Sequence, residues 1–154
     1  MRPLPIPPVP LTLLLGAVAW FASWSSPGWL SWPREHTATG FLCGVLVAAG
    51  FTVMIAAVVS FRMHKTTVDP RYPDRAGALV TSGVFSISRN PMYVGMALLL
   101  VGWAIWLGDG IALIFPALFF ALIDRVQIPA EEAALSEHFG EAYTAYCSKT
   151  RRWL

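Results

Sequence analysis

Residues 89–95 read Arg-Asn-Pro-Met-Tyr-Val-Gly, and farther along the chain stands a second polar group, Glu131-Glu132. Behind it come Phe139-Gly140, Tyr143, Tyr146 and Arg151-Arg152-Trp153. An arginine can hold a carboxylate through two parallel N–H donors. Asparagine before proline stops any preceding helix, and proline at a helix start leaves no amide to satisfy. The segment at Arg89-Asn90-Pro91 therefore predicts a polar helix cap with exposed backbone donors, suited to an anionic group. Two adjacent carboxylates offer a seat for a cation, or a proton acceptor. Polar groups beside a bilayer are costly to keep, so two such clusters flanking one apolar hairpin point to a shared site.

The same residues have plainer uses. Arg89 and Tyr93 also fit simple anchoring at a membrane interface. Pro129 followed by two acids reads as a helix opening matched to the helix dipole. Helical spacing puts Asp124, Gln127 or Ile128, and Glu131 on one stripe, and Glu132, Leu135 and Phe139 on another. Asp124 and Arg125 read as a local salt bridge or a snorkelling pair. His36, His64 and His138 lie in separate segments without ligand spacing, so no metal site is expected. There is no Ser-His-Asp set, no Cys-His pair and no glycine-rich phosphate loop. The basic residues are too dispersed for a nucleic-acid surface. Cys43 sits in an apolar run and Cys147 in a polar tail, and no disulfide between them is expected.

The elements that must position these residues are set by composition. Of 154 residues, 56% are hydrophobic and 13% charged, with a formal charge of +2, and the mean hydropathy is +0.57. A soluble domain carries about 25% charged residues, so this chain lacks the polar surface to cover a globule in water. A bilayer core needs about 20 residues of helix. Stretches at about 11–30, 38–61, 91–108 and 111–128 qualify as spans, and 38–61 carries no charge over its 24 residues. Trp20, Trp24, Trp29 and Trp32 fit an aromatic belt at the end of the first. Around Ala22-Ser23-Trp24 the small-x-small cleavage pattern is poor, which favours retention over removal as a signal peptide. Pro116 predicts a kink in the fourth span. Gly40 and Gly44 are expected to let a neighbouring helix approach closely.

Ten of the eleven Lys and Arg lie at the N-terminus, between Arg62 and Arg89, or from Arg125 onward. By the positive-inside rule both termini and the 62–90 loop face the cytosol, and the two polar clusters fall on that same side. The expected fold is an all-α integral membrane bundle of four transmembrane helices with a cytosolic interfacial loop and a C-terminal helix. It forms one domain over residues 1–154, with site segments at 62–93 and 129–154. The 62–90 loop is longer than a hairpin needs, which favours function. Its apolar residues alternate with small polar ones, as in a strip lying along the membrane surface.

The run Leu79-Val80-Thr81-Ser82-Gly83-Val84-Phe85, then Ser88-Arg89-Asn90-Pro91-Met92-Tyr93-Val94-Gly95, then Glu131-Glu132, Leu135, Phe139-Gly140, Tyr143, Tyr146 and Arg152-Trp153 resembles the isoprenylcysteine carboxyl methyltransferase family. Related phospholipid methyltransferases share the general plan. The likeness covers roughly residues 62–154, and the first two spans match in hydrophobicity alone. One departure is Asn90, where many members have His. The chain is also shorter than eukaryotic members, which carry additional spans.

The resemblance implies a membrane methyltransferase that uses S-adenosylmethionine on its cytosolic side, with a lipophilic substrate reaching it from the bilayer. It assigns Arg89, Asn90, Pro91, Tyr93 and Glu131 to the cofactor, with Lys65, Thr66, Leu79, Val80, Gly83 and Val84 around them. Glu132 and Arg152, with Arg89, are the candidates for ordering the acceptor and for catalysis. Glu132 also borders the cofactor, and Tyr143 and Tyr146 either close the pocket or pack. The acceptor that the family likeness implies is the carboxylate of isoprenylcysteine. Alternatives are N-methylation of a phospholipid, S-methylation of a thiol, an NADPH-dependent sterol-type reductase, and a membrane subunit without activity. The oligomeric state is not legible.

Overall fold

Prolines open the first helix, α1 (Pro8–Trp24), because the missing amides of a first helical turn cost nothing there. This computed structural model describes residues 3–33, 37–64 and 78–154, all helical or irregular, with no strand among them. The first span was expected to reach Leu30, but α1 ends at Trp24, where Ser25, Ser26 and Pro27 stop it, and a short 3-10 turn covers Gly28–Leu30. Helix α2 (Thr37–Met63) has 27 residues. Helix α3 (Pro91–Leu107) starts on the predicted proline and stops at Gly108, whose φ of 65° is a left-handed cap that favours glycine.

The fourth expected span differs most. A 3-10 turn at Ile111–Leu113 leads into α4 (Ile114–Leu122), a π turn at Ile123–Gln127, and α5 (Ile128–Phe139) without a break. Pro116 falls in the first turn of α4, just past the 3-10 turn, where a proline is tolerated. Pro129 does not open a new helix. It follows the π turn, in which the Ile128 amide bonds the Ile123 carbonyl five residues back. A wide turn at that point makes room for a proline ring and its missing donor. Gly140, at φ 52°, then redirects the chain into α6 (Glu141–Lys149).

Two of these elements, Thr37–Met63 and Ile111–Phe139, are long and apolar enough to cross a membrane, while Pro8–Trp24 and Pro91–Leu107 are apolar but shorter. The outer surface agrees with a lipid environment: Leu13, Phe41 and Ile55 are 70%, 74% and 60% exposed. Inside, Leu11 and Leu15 of α1 meet Tyr93, Met96 and Leu100 of α3 and Phe119, Ile123 and Ile128 of the fourth helix. The Trp103 indole donates to the Gly16 carbonyl at 3.0 Å, tying α3 to α1.

Close packing of α2 on α3 runs through a different glycine pair from the one expected. A Cβ on Gly40 or Gly44 would meet nothing within 4 Å. A Cβ on Gly50 would lie 2.8 Å from the Gly95 carbonyl oxygen, and one on Gly95 2.7 Å from that of Gly50. The two backbones touch, an approach that a side chain at either position would block.

Candidate active site

Buried Pro91 begins α3, and the residues just before it are stitched to the end of the chain. Arg89 N–H donates to the Arg151 carbonyl at 2.9 Å, forming part of a parallel bridge between Ser88 and Arg151. The Asn90 side chain donates to the Arg152 carbonyl at 2.9 Å, and Ser88 Oγ, 2% exposed, donates to the same oxygen at 3.4 Å. The expected exposed anion cap is therefore not what forms. Asn90's own carbonyl takes the Tyr93 and Val94 amides at 3.0 and 3.1 Å, and its side chain holds the tail.

This strap delivers two arginines to one carboxylate. Glu132 Oε1 lies 3.2 Å from Arg89 Nη2 and 3.2 Å from Arg152 Nε, while its Oε2 takes Arg152 Nη2 at 2.6 Å. Arg152 Nη1 reaches Asp124 Oδ1 at 3.4 Å, and the Trp153 indole donates to the same oxygen at 2.9 Å. Asp124 thus pairs with the tail and not with Arg125 as expected, because the π turn aims it inward. The two-pronged bond to Glu132, backed by Asp124, pushes the Arg152 guanidinium above its ordinary range. Arg89 also contacts the Cys147 sulfur, and its buried Nε has no partner among the described residues.

The second carboxylate is held differently. Glu131 Oε1 accepts the Tyr93 hydroxyl at 2.5 Å and the Gln127 amide at 2.6 Å. Gln127 is 2% exposed, and its oxygen accepts the backbone N–H of Leu4 at 3.0 Å. Among the described residues, Arg89 and Arg152 face Glu132 and Asp124, whereas Glu131 has neutral partners.

Around these groups, Val80 and Phe85 are buried with Ala57, and Val84, Phe61 and Met92 pack on them. Leu79 is half-buried. Gly83 has φ 63°, a left-handed conformation that lets the turn at Gly83–Ser86 fold back. Tyr143 and Tyr146 are buried, and burial pushes both phenols well up, so they stay neutral. The Tyr146 hydroxyl donates to the Phe85 carbonyl at 2.6 Å, linking α6 to that turn. Lys65 and Thr66 lie outside the described residues.

The structure thus joins Arg89, Asn90, Glu132 and Arg152 in one cluster and Tyr93 with Glu131 in a second. Both lie where α3 begins and the fourth helix ends. Gln127, Ser88 and Cys147 belong to them as well. Gln127 was legible only as one choice on the Asp124–Glu131 stripe; its four-residue spacing to Glu131 was the available signal. Ser88 stood in the family-like run without a role, and Cys147 gave no signal, since their partners come from tertiary folding. Chemically, a buried donor on Arg89 and a carboxylate without a cation among the described residues are complementary to a ligand carrying both a carboxylate and an ammonium.

An apolar helical bundle with a charged cluster at one end fits a membrane protein. A model described as phospholipid methyltransferase matches residues 38–142, and the chain belongs to that family. The match takes in α2, which the sequence likeness had left to hydrophobicity, and stops before Tyr143. An uncharacterised protein of Haemophilus influenzae is 40% identical over 63 residues, 41% of this chain and 100% of that protein. The protein-S-isoprenylcysteine O-methyltransferase of Schizosaccharomyces pombe is 27% identical over 115 residues, 75% of this chain and 47% of its own length. A probable protein-S-isoprenylcysteine O-methyltransferase of Oryza sativa subsp. japonica is 26% identical over 121 residues, 79% of this chain and 63% of its own. The chain spans about half to two thirds of the length of these isoprenylcysteine relatives. No solved structure matches it.

Proposed function

We propose that this chain transfers a methyl group from S-adenosylmethionine to a lipophilic acceptor at the cytosolic face of a membrane. The observation that carries the reading is the convergence of Arg89 at the start of α3 with Glu131 and Glu132 of α5. The residues fit the cofactor by their chemistry: the buried Arg89 Nε, without a partner among the described residues, suits its carboxylate, and Glu131, with neutral partners, suits its ammonium. Tyr93 and the nearby tyrosines suit a cationic or aromatic group.

When bound, S-adenosylmethionine supplies a methyl group already activated by its sulfonium. The chain's own work is then alignment and exclusion of water. A carboxylate or thiolate acceptor needs no general base. An amine acceptor must first lose a proton, and Glu131 or Glu132 takes it. In this reading Arg89, Glu132 and Arg152 order the acceptor. Arg89, Asn90, Pro91, Tyr93, Glu131 and Glu132 hold the cofactor, with Lys65, Thr66, Leu79, Val80, Gly83, Val84, Tyr143 and Tyr146 completing its surroundings.

Four spans, with α1 and α3 as the short ones, give a single domain with both termini and the site on the cytosolic side. The 17 residues of α1 and of α3 are at the lower limit of about 17–25 for a crossing helix. The leading acceptor is the carboxylate of isoprenylcysteine, supported by the names of the relatives. N-methylation of an ethanolamine phospholipid is the second reading, supported by the family description. Membranes containing the protein would be given methyl-labelled S-adenosylmethionine with either a farnesylcysteine or phosphatidylethanolamine. Label that mild base releases as methanol marks the ester; base-stable label in the lipid marks the amine. Label in neither, from folded protein, would count against both acceptors.

A further inference from the structure

We infer that Gln127, held by the backbone amide of Leu4, is a positioning residue for Glu131, so that the segment preceding α1 forms part of the ligand site. This rests on the methyltransferase reading. Leu4 lies outside the region matched by the family.

The orientation of the Gln127 amide follows from its partners. A backbone N–H can only donate, so the Leu4 amide at 3.0 Å fixes the Gln127 oxygen on that side. The Gln127 nitrogen must then face Glu131, where it donates at 2.6 Å. A flipped amide would set oxygen against carboxylate and N–H against N–H. Glu131 consequently carries two donors on Oε1, one from Gln127 and one from Tyr93 at 2.5 Å. Two donors on one oxygen, from α3 and from the π turn, pin the carboxyl group in one orientation. Among the described residues Oε2 takes no hydrogen bond, which leaves it for a donor from a ligand.

Gln127 reaches this position through the π turn. An α-helix advances about 100° per residue, and the extra residue of a π turn rotates everything after it by about that amount. Gln127 and Glu131 are thereby turned toward Tyr93. Such polar groups are not required for packing, since well-packed apolar residues of similar volume are often as stable. Leu4 and Trp153 both pack on the apolar cluster that contains Tyr93. The leading segment and the closing strap therefore flank the same polar end.

The test uses the full chain in detergent, with S-adenosylhomocysteine as the probe in calorimetry and thermal unfolding read separately. Gln127→Leu should bind the probe about tenfold more weakly, as expected for loss of one hydrogen bond to a charged group. In a Glu131→Gln background the same substitution should weaken binding no further, because its effect passes through Glu131. Leu4→Pro, which removes the amide donor together with the leucine side chain, should weaken binding as Gln127→Leu does. Leu4→Ala, which loses the packed side chain but keeps the donor, should not. The Leu4 pair keeps the test alive should Gln127→Leu fail to fold. Lower melting temperatures with unchanged affinity would overturn the inference. So would a loss of affinity from Gln127→Leu that is equally large in the Glu131→Gln background. Failure of the unaltered protein to bind the probe would instead sink the methyltransferase reading, and this inference with it.

Discussion

The molecule buries carboxylates at both ends of its helical hairpin, and the two ends use them differently. At the far end Asp109 is 1% exposed. Its Oδ1 accepts the Ile111 amide at 2.8 Å and its Oδ2 the Ser31 hydroxyl at 3.0 Å. Backbone bonds from Trp32 to Gly108 and from Gly110 to Leu30, each 3.0 Å, complete a clasp between the two connections. The Ile111 amide and the Ser31 hydroxyl give these oxygens the work of a helix cap and a loop fastener. At the other end, donors from α3, the π turn and the closing strap crowd onto Oε1 of Glu131 and both oxygens of Glu132. Charges of both signs are gathered there at a cost that fastening alone does not require. On the proposed function, the first end fastens the architecture and the second holds a ligand.

Substitutions at the two ends should accordingly act on different observables. The largest effect belongs to Glu132→Gln, which leaves two arginines without their shared carboxylate. Affinity for S-adenosylhomocysteine should fall by at least about a hundredfold, the scale of breaking a half-buried ion pair. Near-normal binding in titration calorimetry would remove Glu132 from the site. Arg152→Ala should cost about tenfold in the same measurement, and Arg152→Lys should recover only part, because an ammonium cannot make the two-pronged bond. At the clasp, Asp109→Ala should lower stability by about 1–2 kcal/mol through loss of its capping bonds, read by thermal unfolding. It should leave probe affinity unchanged, and a loss of affinity there would erase the contrast between the two ends.

Much of the frame was legible because it rests on local rules. A charge-free run gave α2, and Pro91 and Gly108 set the start and stop of α3. The grouping of Arg89 with Glu132 and Arg152 was legible from the family likeness, and the observed ion pairs bring these side chains together. What escaped were outcomes of tertiary packing. The π turn at Ile123–Gln127 leaves no pattern in hydrophobicity. Gly40 and Gly44 carry the usual spacing for close helix approach, yet Gly50 and Gly95 make the contact. Asn90 was expected to open an anion cap; its use as a fastener for the strap depends on a residue 62 positions away.

The most direct test of the central claim is calorimetric titration of the detergent-purified protein with S-adenosylhomocysteine, with NADPH as comparator. The account predicts saturable binding of S-adenosylhomocysteine that is lost in an Arg89→Ala variant that remains folded. Saturable binding of NADPH alone, or undiminished binding of S-adenosylhomocysteine after Arg89→Ala, would contradict it.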